Sequence, residues 1–492
     1  MDVYMSGMQP DDQSIGPLSD SEGSVLKQTA PIYTLAWELL AEIMLLTLTP
    51  RIDSNIGNRR WMRRYPSPAT AKDVLVLCRV CSHWRTVALN TPRLWATITL
   101  PIMNPKNIQE VASLLTNMFL ERSAPFPVSI QFYPIFSANE TITVPPMVTS
   151  ACNRWKTFVV GCDMDEFDVA SLARIPLNGL NNLERLQLQW SMPVTWNGSE
   201  LDVFSSAPRL RDVTIRVPLA TSNTLSIPWA QLRHLSLTYM SPQVCLDALA
   251  SCQNLVSGRF ITEQWPELHF PGDSDVARPA LLAYLTELEI HTYIWTTGEH
   301  LGPFLRRFSL PALKKLTLSL SLEVSPDDEH FISRLTPTLT SLLHSSPNLQ
   351  YLQLRGCIDA EDMPDVLQRT RNLTELVFRD SQVNDDFFAA LTYSRSTPLV
   401  PKLETMTLID IGIAFDETSF GGMISSRWWS YEEPFAMVAP PGVARLRRLK
   451  FRNDIPYPED TKDFSLDFRR TMQQYSSQGF EFVQTNHEFD SP

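Results

Sequence analysis

Leu183-Glu184-Arg185-Leu186-Gln187-Leu188 sets the frame for most of this chain. Leucines fill its first, fourth and sixth places. The spacing returns with apolar variants at Leu210, Val213, Ile215; Leu232, Leu235, Leu237; and Leu285, Leu288, Ile290. It continues at Leu313, Leu316, Leu318; Leu349, Leu352, Leu354; and Leu373, Leu376, Phe378. The last copies are Leu403, Met406, Leu408 and Leu446, Leu449, Phe451, while Trp155, Phe158 and Val160 make a poorer early one. The place between the fourth and sixth is mostly polar, the alternation of a strand with one buried face. One such strand cannot bury its apolar side alone. Neighbouring copies must stack, each covering the next.

Most successive starts lie roughly 22 to 36 residues apart, overlapping the leucine-rich-repeat period of 20–29. The returns carry helical patterns at Pro242 to Cys252, Phe331 to His344, Asp362 to Arg371 and Asp385 to Tyr393. The chain resembles irregular leucine-rich repeats of the intracellular kind. The Asn or Cys of that pattern, three residues after the last leucine, is present only as Cys357; Ser191, Ser321 and Ser381 hold equivalent places. The resemblance implies an α/β fold, a curved solenoid with strands on one side and helices on the other. Its polar strand positions then point to a concave face. Gln187, Gln189, Thr238, Tyr351, Gln353, Arg355 and Arg379 are the candidate substrate-binding residues there. Neutral polar side chains with scattered charge suit a protein ligand better than phosphate, the alternative being a face that merely solvates the array. Arg448, Lys450 and Arg452 make the last frame basic, favouring an acidic segment on a ligand.

Ahead of the array, Leu35, Leu39, Ile43 and Leu46 make one helical stripe, and Leu77, Val80, Cys81, Trp84 and Ala88 a second. Two such short helices bury little alone, so apolar surface is left for a partner. Leu35-x-x-Glu38-Leu39-Leu40-x-x-Ile43, then Val80-Cys81-x-x-Trp84-Arg85 and Pro92-x-Leu94-Trp95, resemble an F-box of the degenerate kind found in fungal families. Ala36 stands where that family usually has proline, and a polar insertion, about residues 51–72, separates the helices. The resemblance implies a small α-helical hairpin that docks on a Skp-family adaptor, and through it on a cullin ubiquitin ligase. Leu35, Glu38, Leu39, Ile43, Leu46, Val80 and Trp84 are the expected adaptor-binding residues, Val80 and Trp84 also pinning the second helix on the first. The chain would then be a substrate receptor, a monomer within the complex, doing no bond chemistry itself. The alternative is a protein-binding scaffold whose hairpin is only an N-terminal cap.

The expected organisation is a polar tail over residues 1–30, an F-box-like helical domain over 31–100, the solenoid with its C-terminal cap over 101–484, and a tail over 485–492. Asn107 to Glu121 reads as a helix on the stripe Ile108, Val111, Leu114, Leu115, Met118, Phe119, flanked by strands Thr97 to Leu100 and Pro127 to Tyr133. Phe415 to Pro441 reads as a long insert with Trp428, Trp429, Tyr431 and Phe435, either an exposed interface anchor or a buried cap. Asp463 to Gln474 and Gly479 to Val483 read as a closing helix and strand.

Composition narrows the function classes. A net charge of −12 argues against non-specific binding to nucleic acid or anionic membrane. No apolar run reaches membrane-spanning length, and the start lacks a signal-peptide pattern, so the expected location is cytoplasmic and/or nuclear. Seven scattered cysteines read as reduced thiols, and the three glycosylation sequons at Asn139, Asn197 and Asn372 as coincidence. Cys78-x-x-Cys81 has no second ligand pair and reads as packed cysteine; Cys152 and Cys162 have no nearby histidine. Asp163, Asp165, Glu166 and Asp168 lack the glycine spacing of a calcium loop. Arg51, Arg59, Arg60, Arg63 and Arg64 make a local basic patch within the insertion. No nucleophile–base, metal-ligand or phosphate-loop motif stands out, so no catalytic residue, metal or cofactor is expected.

Overall fold

The computed structural model describes residues 35–48, 71–102, 106–134, 143–162, 168–190, 202–216, 225–262, 279–294, 301–322, 335–356, 360–381, 383–394, 398–428, 443–453 and 464–486. The N-terminal tail, the arginines of the insertion, Asp163 to Glu166, Cys357, Trp429, Tyr431 and Phe435 lie outside them.

Fourteen strands form one sheet among the described residues, in unbroken chain order and parallel throughout. They are β1 Thr97–Ile102, β2 Val128–Pro134, β3 Trp155–Cys162, β4 Arg185–Trp190, β5 Asp212–Arg216, β6 His234–Thr238 and β7 Ser257–Thr262. The rest are β8 Glu287–Ile294, β9 Lys315–Leu322, β10 Tyr351–Arg355, β11 Glu375–Arg379, β12 Thr405–Ile409, β13 Arg448–Asn453 and β14 Glu481–Asn486. Parallel neighbours need a crossover, and each return supplies one. This is a leucine-rich-repeat-like solenoid, one strand per repeat.

Register explains why the frame recurs. Leu316 pairs with Leu288 and Leu352, Leu352 with Leu376, Leu376 with Met406, and Met406 with Leu449. Side chains of equal frame position thus stand side by side on the inner face. Leu186, Leu188, Leu316, Leu318, Leu352, Leu354, Leu376 and Leu408 all have no exposed surface.

β7 is the strand that the leucine frame does not reveal. Its copy is Leu255-x-x-Gly258-x-Phe260, with glycine in a leucine place. A Cβ on Gly258 would come 2.9 Å from the Phe260 ring and 3.3 Å from Leu255. The large phenylalanine occupies the missing side chain's space, so the pattern is lost in the sequence while the packing is kept.

The turn leaving each strand has its own rule. Tyr239, Gly356, Asp380 and Asp410 directly follow β6, β10, β11 and β12, and all have positive φ. Their N–H groups donate to Ile261 O, Arg379 O, Ile409 O and Arg452 O, the last residues in register on the following strands. At Gly356 a Cβ would lie 2.7 Å from Leu320 O, so glycine is required there. The serine place does not form a comparable ladder at Ser381, whose hydroxyl donates only to Arg379 O in its own turn.

The helical unit differs from a hairpin of two helices. α1 is Trp37–Thr47, but the second run breaks into α2, Ala71–Val80, and α3, Ser82–Leu89. Cys81 is extended and caps α3, its sulfur accepting from Trp84 N at 3.4 Å. Arg85 Nε donates to Cys78 O at 2.9 Å and satisfies a carbonyl at the end of α2. The break shifts the helical phase. Val74, Leu77 and Cys78 face inward, Trp84 is half-buried, and Val80 is 56% exposed and pins nothing. On α1 the buried residues are Leu40, Ala41 and Met44.

The helical unit is not separate from the solenoid. The sheet begins at Thr97, within the stretch assigned to the helical domain. Trp95 is fully buried, donates to Ala88 O at 2.8 Å and packs edge-on against Phe119 at 4.9 Å. Trp155 repeats the arrangement in β3, donating to Val148 O, also seven residues back, at 3.1 Å. Register through β2 aligns Ile98 with Ile130 and Ile130 with Phe158, so Trp95 opens the first repeat as Trp155 opens the third. Phe119 lies on α4, Lys106–Arg122, where Leu114, expected on the apolar stripe, faces solvent instead.

At the far end, the expected insert contains a return helix, Glu417–Arg427, that buries Phe420, Met423 and Ile424. Trp428 is buried too, as a cap would be. The closing helix, Leu466–Ser477, adds Phe468, which stacks on Phe464 at 4.4 Å and on Phe420 at 5.6 Å. β14 runs to Asn486, past residue 484. Arg427 is 1% exposed without a carboxylate partner among the described residues. Its guanidinium donates to Leu391 O at 2.6 Å, Leu399 O at 2.8 Å and Val400 O at 3.3 Å, and burial pushes its pKa down to about 10.

Two stability predictions follow from this packing. Leu352→Asp places a charge among stacked leucines and is expected to cost several kcal/mol, about 4 or more. Gln353→Asp, next along and on the other face, is expected to lower the melting temperature only slightly. Equal losses in thermal melts would contradict the alternating burial. Arg427→Met is expected to cost about 2–4 kcal/mol by leaving carbonyls unpaired, and Arg427→Lys to recover little, because an ammonium cannot span the three acceptors. Urea denaturation of both variants reads this.

Candidate functional site

Two surfaces carry the candidate residues. The first is the outer side of the helical unit. On α1, Leu39, Ile43 and Leu46 are 57%, 41% and 66% exposed, and Trp37 and Glu38 are also exposed. On α2, Val76 and Val80 are exposed as well. On α1 Leu40, Ala41 and Met44 turn inward, and the helices leave these other apolar side chains exposed. Leu35 and Trp84 are half-buried, Trp84 packing against the core. The expected adaptor-binding set is therefore mostly surface, with Trp84 chiefly structural. A salt bridge at 2.6 Å between Arg93 and Glu42 ties α1 to the turn Pro92–Trp95, though both side chains are exposed and the pair adds little stability.

The second surface is the outward face of the sheet. Each of its seven expected residues sits at an outward strand position. Tyr351, Gln353 and Arg355 lie along β10, and Arg379 pairs with Arg355 in register on β11. These four form one patch. Gln187 and Gln189 on β4 and Thr238 on β6 stand well away from it, with β7, β8 and β9 between β6 and β10. Gln187 is only 5% exposed, because parallel strands stand side chains in close rows where neighbours shield one another. It offers little to a ligand.

The β10 patch is internally braced. Tyr351 donates to Gln353 Oε1 at 2.7 Å, with Lys315 Nζ 4.8 Å from the tyrosine ring centroid. Burial, then Glu375 and Glu289, raises the pKa of the phenol. Arg355 pairs with Asp380, the positive-φ residue after β11. One more group lies across β9 from it, on β7 and β8: His291 Nε2 is 2.5 Å and Arg259 Nε 3.4 Å from Glu289 Oε1. Arg259 was hidden with its strand; Phe260, two places after a glycine, was the available signal.

The cysteines are packing groups. Burial raises the thiol pKa of Cys78, Cys152 and Cys245, and pushes Cys252 to about 12. None of the described cysteines is in a disulfide. Among the described residues no cluster of His, Cys, Asp or Glu is placed to hold a metal ion. None of the described helices is long and apolar enough to cross a membrane.

No family model matches the chain, and no curated protein is similar to it. Solved structures to which the chain shows a distant similarity include two. An internalin from Listeria monocytogenes is 13% identical, over 81% of this chain and 97% of its own, with a TM-score of 0.34. A Bacteroides fragilis protein is 10% identical, over 79% of this chain and 86% of its own, with a TM-score of 0.26. At these scores the likeness adds nothing to what the strand order already establishes, a leucine-rich-repeat-like solenoid.

Proposed function

We propose that the chain is a protein-binding receptor whose helical unit docks on a Skp-family adaptor of a cullin ubiquitin ligase and whose sheet face holds the protein to be modified. The observation that carries this reading is the exposure of Leu39, Ile43 and Leu46 on one helix and of Val76 and Val80 on another. Apolar side chains held outward on a folded helical unit are suited to a partner. Leu39, Ile43 and Val80 also belong to the motif on which the F-box resemblance rests. In this role the receptor makes and breaks no bonds itself. It raises the effective concentration of substrate lysines near the ubiquitin-charged enzyme.

A second reading has its own support. Trp95 joins the helical unit to the first repeats in one core, as an N-terminal cap would be joined. Capping needs the inward residues Leu40, Met44 and Trp95; it has no use for the outward ones. The two readings therefore separate by substitution.

Leu39→Arg is expected to leave the melting curve unchanged, since Leu39 is exposed, and to weaken binding to purified Skp adaptor by about a hundredfold or more, the loss of a central apolar contact. Ala36→Pro is expected to be tolerated or to tighten binding, because Ala36 already has φ −58°. Wild-type protein that fails to bind adaptor at micromolar concentration, or a Leu39→Arg variant that binds undiminished, leaves the cap reading. Joint replacement of Tyr351, Arg355 and Arg379 by Ala is expected to remove substrate neighbours in proximity labelling while adaptor affinity stays the same. An identical neighbour set for variant and wild type would exclude the β10 patch as the reading face.

A further inference from the structure

The edge of the sheet where β3 to β6 begin carries a groove that the adaptor and substrate surfaces do not use. Its volume is about 680 Å³, within the range of pockets that take ligands and enough for a few residues of extended peptide. Its lining residues are all charged or polar. Two of its cations are already paired with carboxylates inside it. Lys156 lies 3.6 Å from Glu184, and Arg185 lies 2.8 Å from Asp212, its neighbour in register.

Two further guanidiniums line the groove without a carboxylate. Arg209 Nη1 donates to the neutral Asn182 Oδ1 at 3.1 Å. Arg211 Nη1 donates to the backbone oxygens of Pro208 at 3.2 Å and Leu210 at 2.9 Å. Neither arginine has an ion pair among the described residues. The internal pairs cancel, so the lining keeps an excess of two positive charges in a chain whose net charge is −12. Two guanidinium forks at the rim of one groove are matched by carboxylates, which accept them bidentately. No Phe, Tyr or Trp lines the groove, and His234 is its one ring, so it lacks the run of aromatic side chains on which successive bases of a single strand stack.

We infer that this groove binds an acidic, Asp/Glu-bearing segment of a partner protein, with Arg209 and Arg211 as its anchors. The segment lies at the beginning of β4 to β6, across the pairs Lys156–Glu184 and Arg185–Asp212. This role is independent of the adaptor reading, because it uses neither the helical unit nor the β10 patch.

The test is fluorescence anisotropy of the full chain with a fluorescein-labelled Glu-Ser repeat peptide, beside Gly-Ser and Lys-Ser peptides. Wild-type protein is expected to bind the Glu-Ser peptide alone and to lose affinity as salt rises. Arg209→Glu is expected to weaken binding at least about tenfold, the effect of reversing a rim charge, with an unchanged melting curve. Arg211→Lys, which keeps the charge and loses the fork, is expected to weaken it less. Arg369→Glu, an exposed charge on the return after β10, controls for net charge and is expected to change nothing. Absence of Glu-Ser binding by wild type, equal binding of the Gly-Ser peptide, an undiminished Arg209→Glu variant, or an equal loss in Arg369→Glu each overturns the assignment.

Discussion

Every repeat in this protein depends on its neighbours for burial. A parallel strand with Leu352 and Leu354 on one side has nothing of its own to cover them. Leu316 and Leu318 cover them from β9, and Leu376 and Phe378 from β11. The gain from burying each leucine, about 2 kcal/mol, is thus a property of pairs of repeats. The array must also end somewhere without exposing an apolar cross-section. At the first end α1 to α3 join the core through Leu40, Met44 and Trp95. At the last, Phe464 and Phe468 pack on Phe420 of the return helix, and Phe482 packs on both of them.

The returns are irregular in length, and polar groups hold them. Arg427 and Arg154 act alike. Arg154 donates to Leu120 O at 2.9 Å, Phe126 O at 2.9 Å and the Ser123 hydroxyl at 2.7 Å, joining the start of β3 to the end of α4. Both guanidiniums donate to several main-chain oxygens of the returns, and burial lowers the pKa of each. Arginine suits this because its fork reaches several acceptors from one rigid plane. The positive-φ residues after β6, β10, β11 and β12 turn the chain off the sheet while extending the ladder by one bond.

The solvent-facing side of this scaffold is organised by the register that builds the core. Arg355 meets Arg379, Arg259 meets Glu289, and Arg185 meets Asp212 because their frames are aligned. Charges distant in the chain become neighbours about 4.8 Å apart by strand spacing. Patches of different character then arise along one sheet: the braced tyrosine–arginine patch at β10 and β11, and the basic groove where β3 to β6 begin.

The repeat class was legible in the sequence because a strand with one buried face must place apolar residues at every second position. Nine full frames did so, from Leu183 to Phe451, and the structure buries them all. What escaped depended on volume and phase. Gly258 broke the β7 pattern, since only folded packing reveals that Phe260 fills its place. Leu35, Leu39, Ile43 and Leu46 read as one apolar stripe, but α1 also carries Leu40, Ala41 and Met44, and a helix apolar on both sides does not declare which side is buried. The tertiary structure chose the second set, against α3 and Trp95. The helix break at Cys81 was equally invisible, because an apolar period continues across it while the cap is made by a thiol and by Arg85. The sequence by itself determined that strands would repeat and stack. Only the folded chain decided which apolar residues stayed in water and which cations lacked partners, because burial and charge pairing are set by neighbours far apart in sequence.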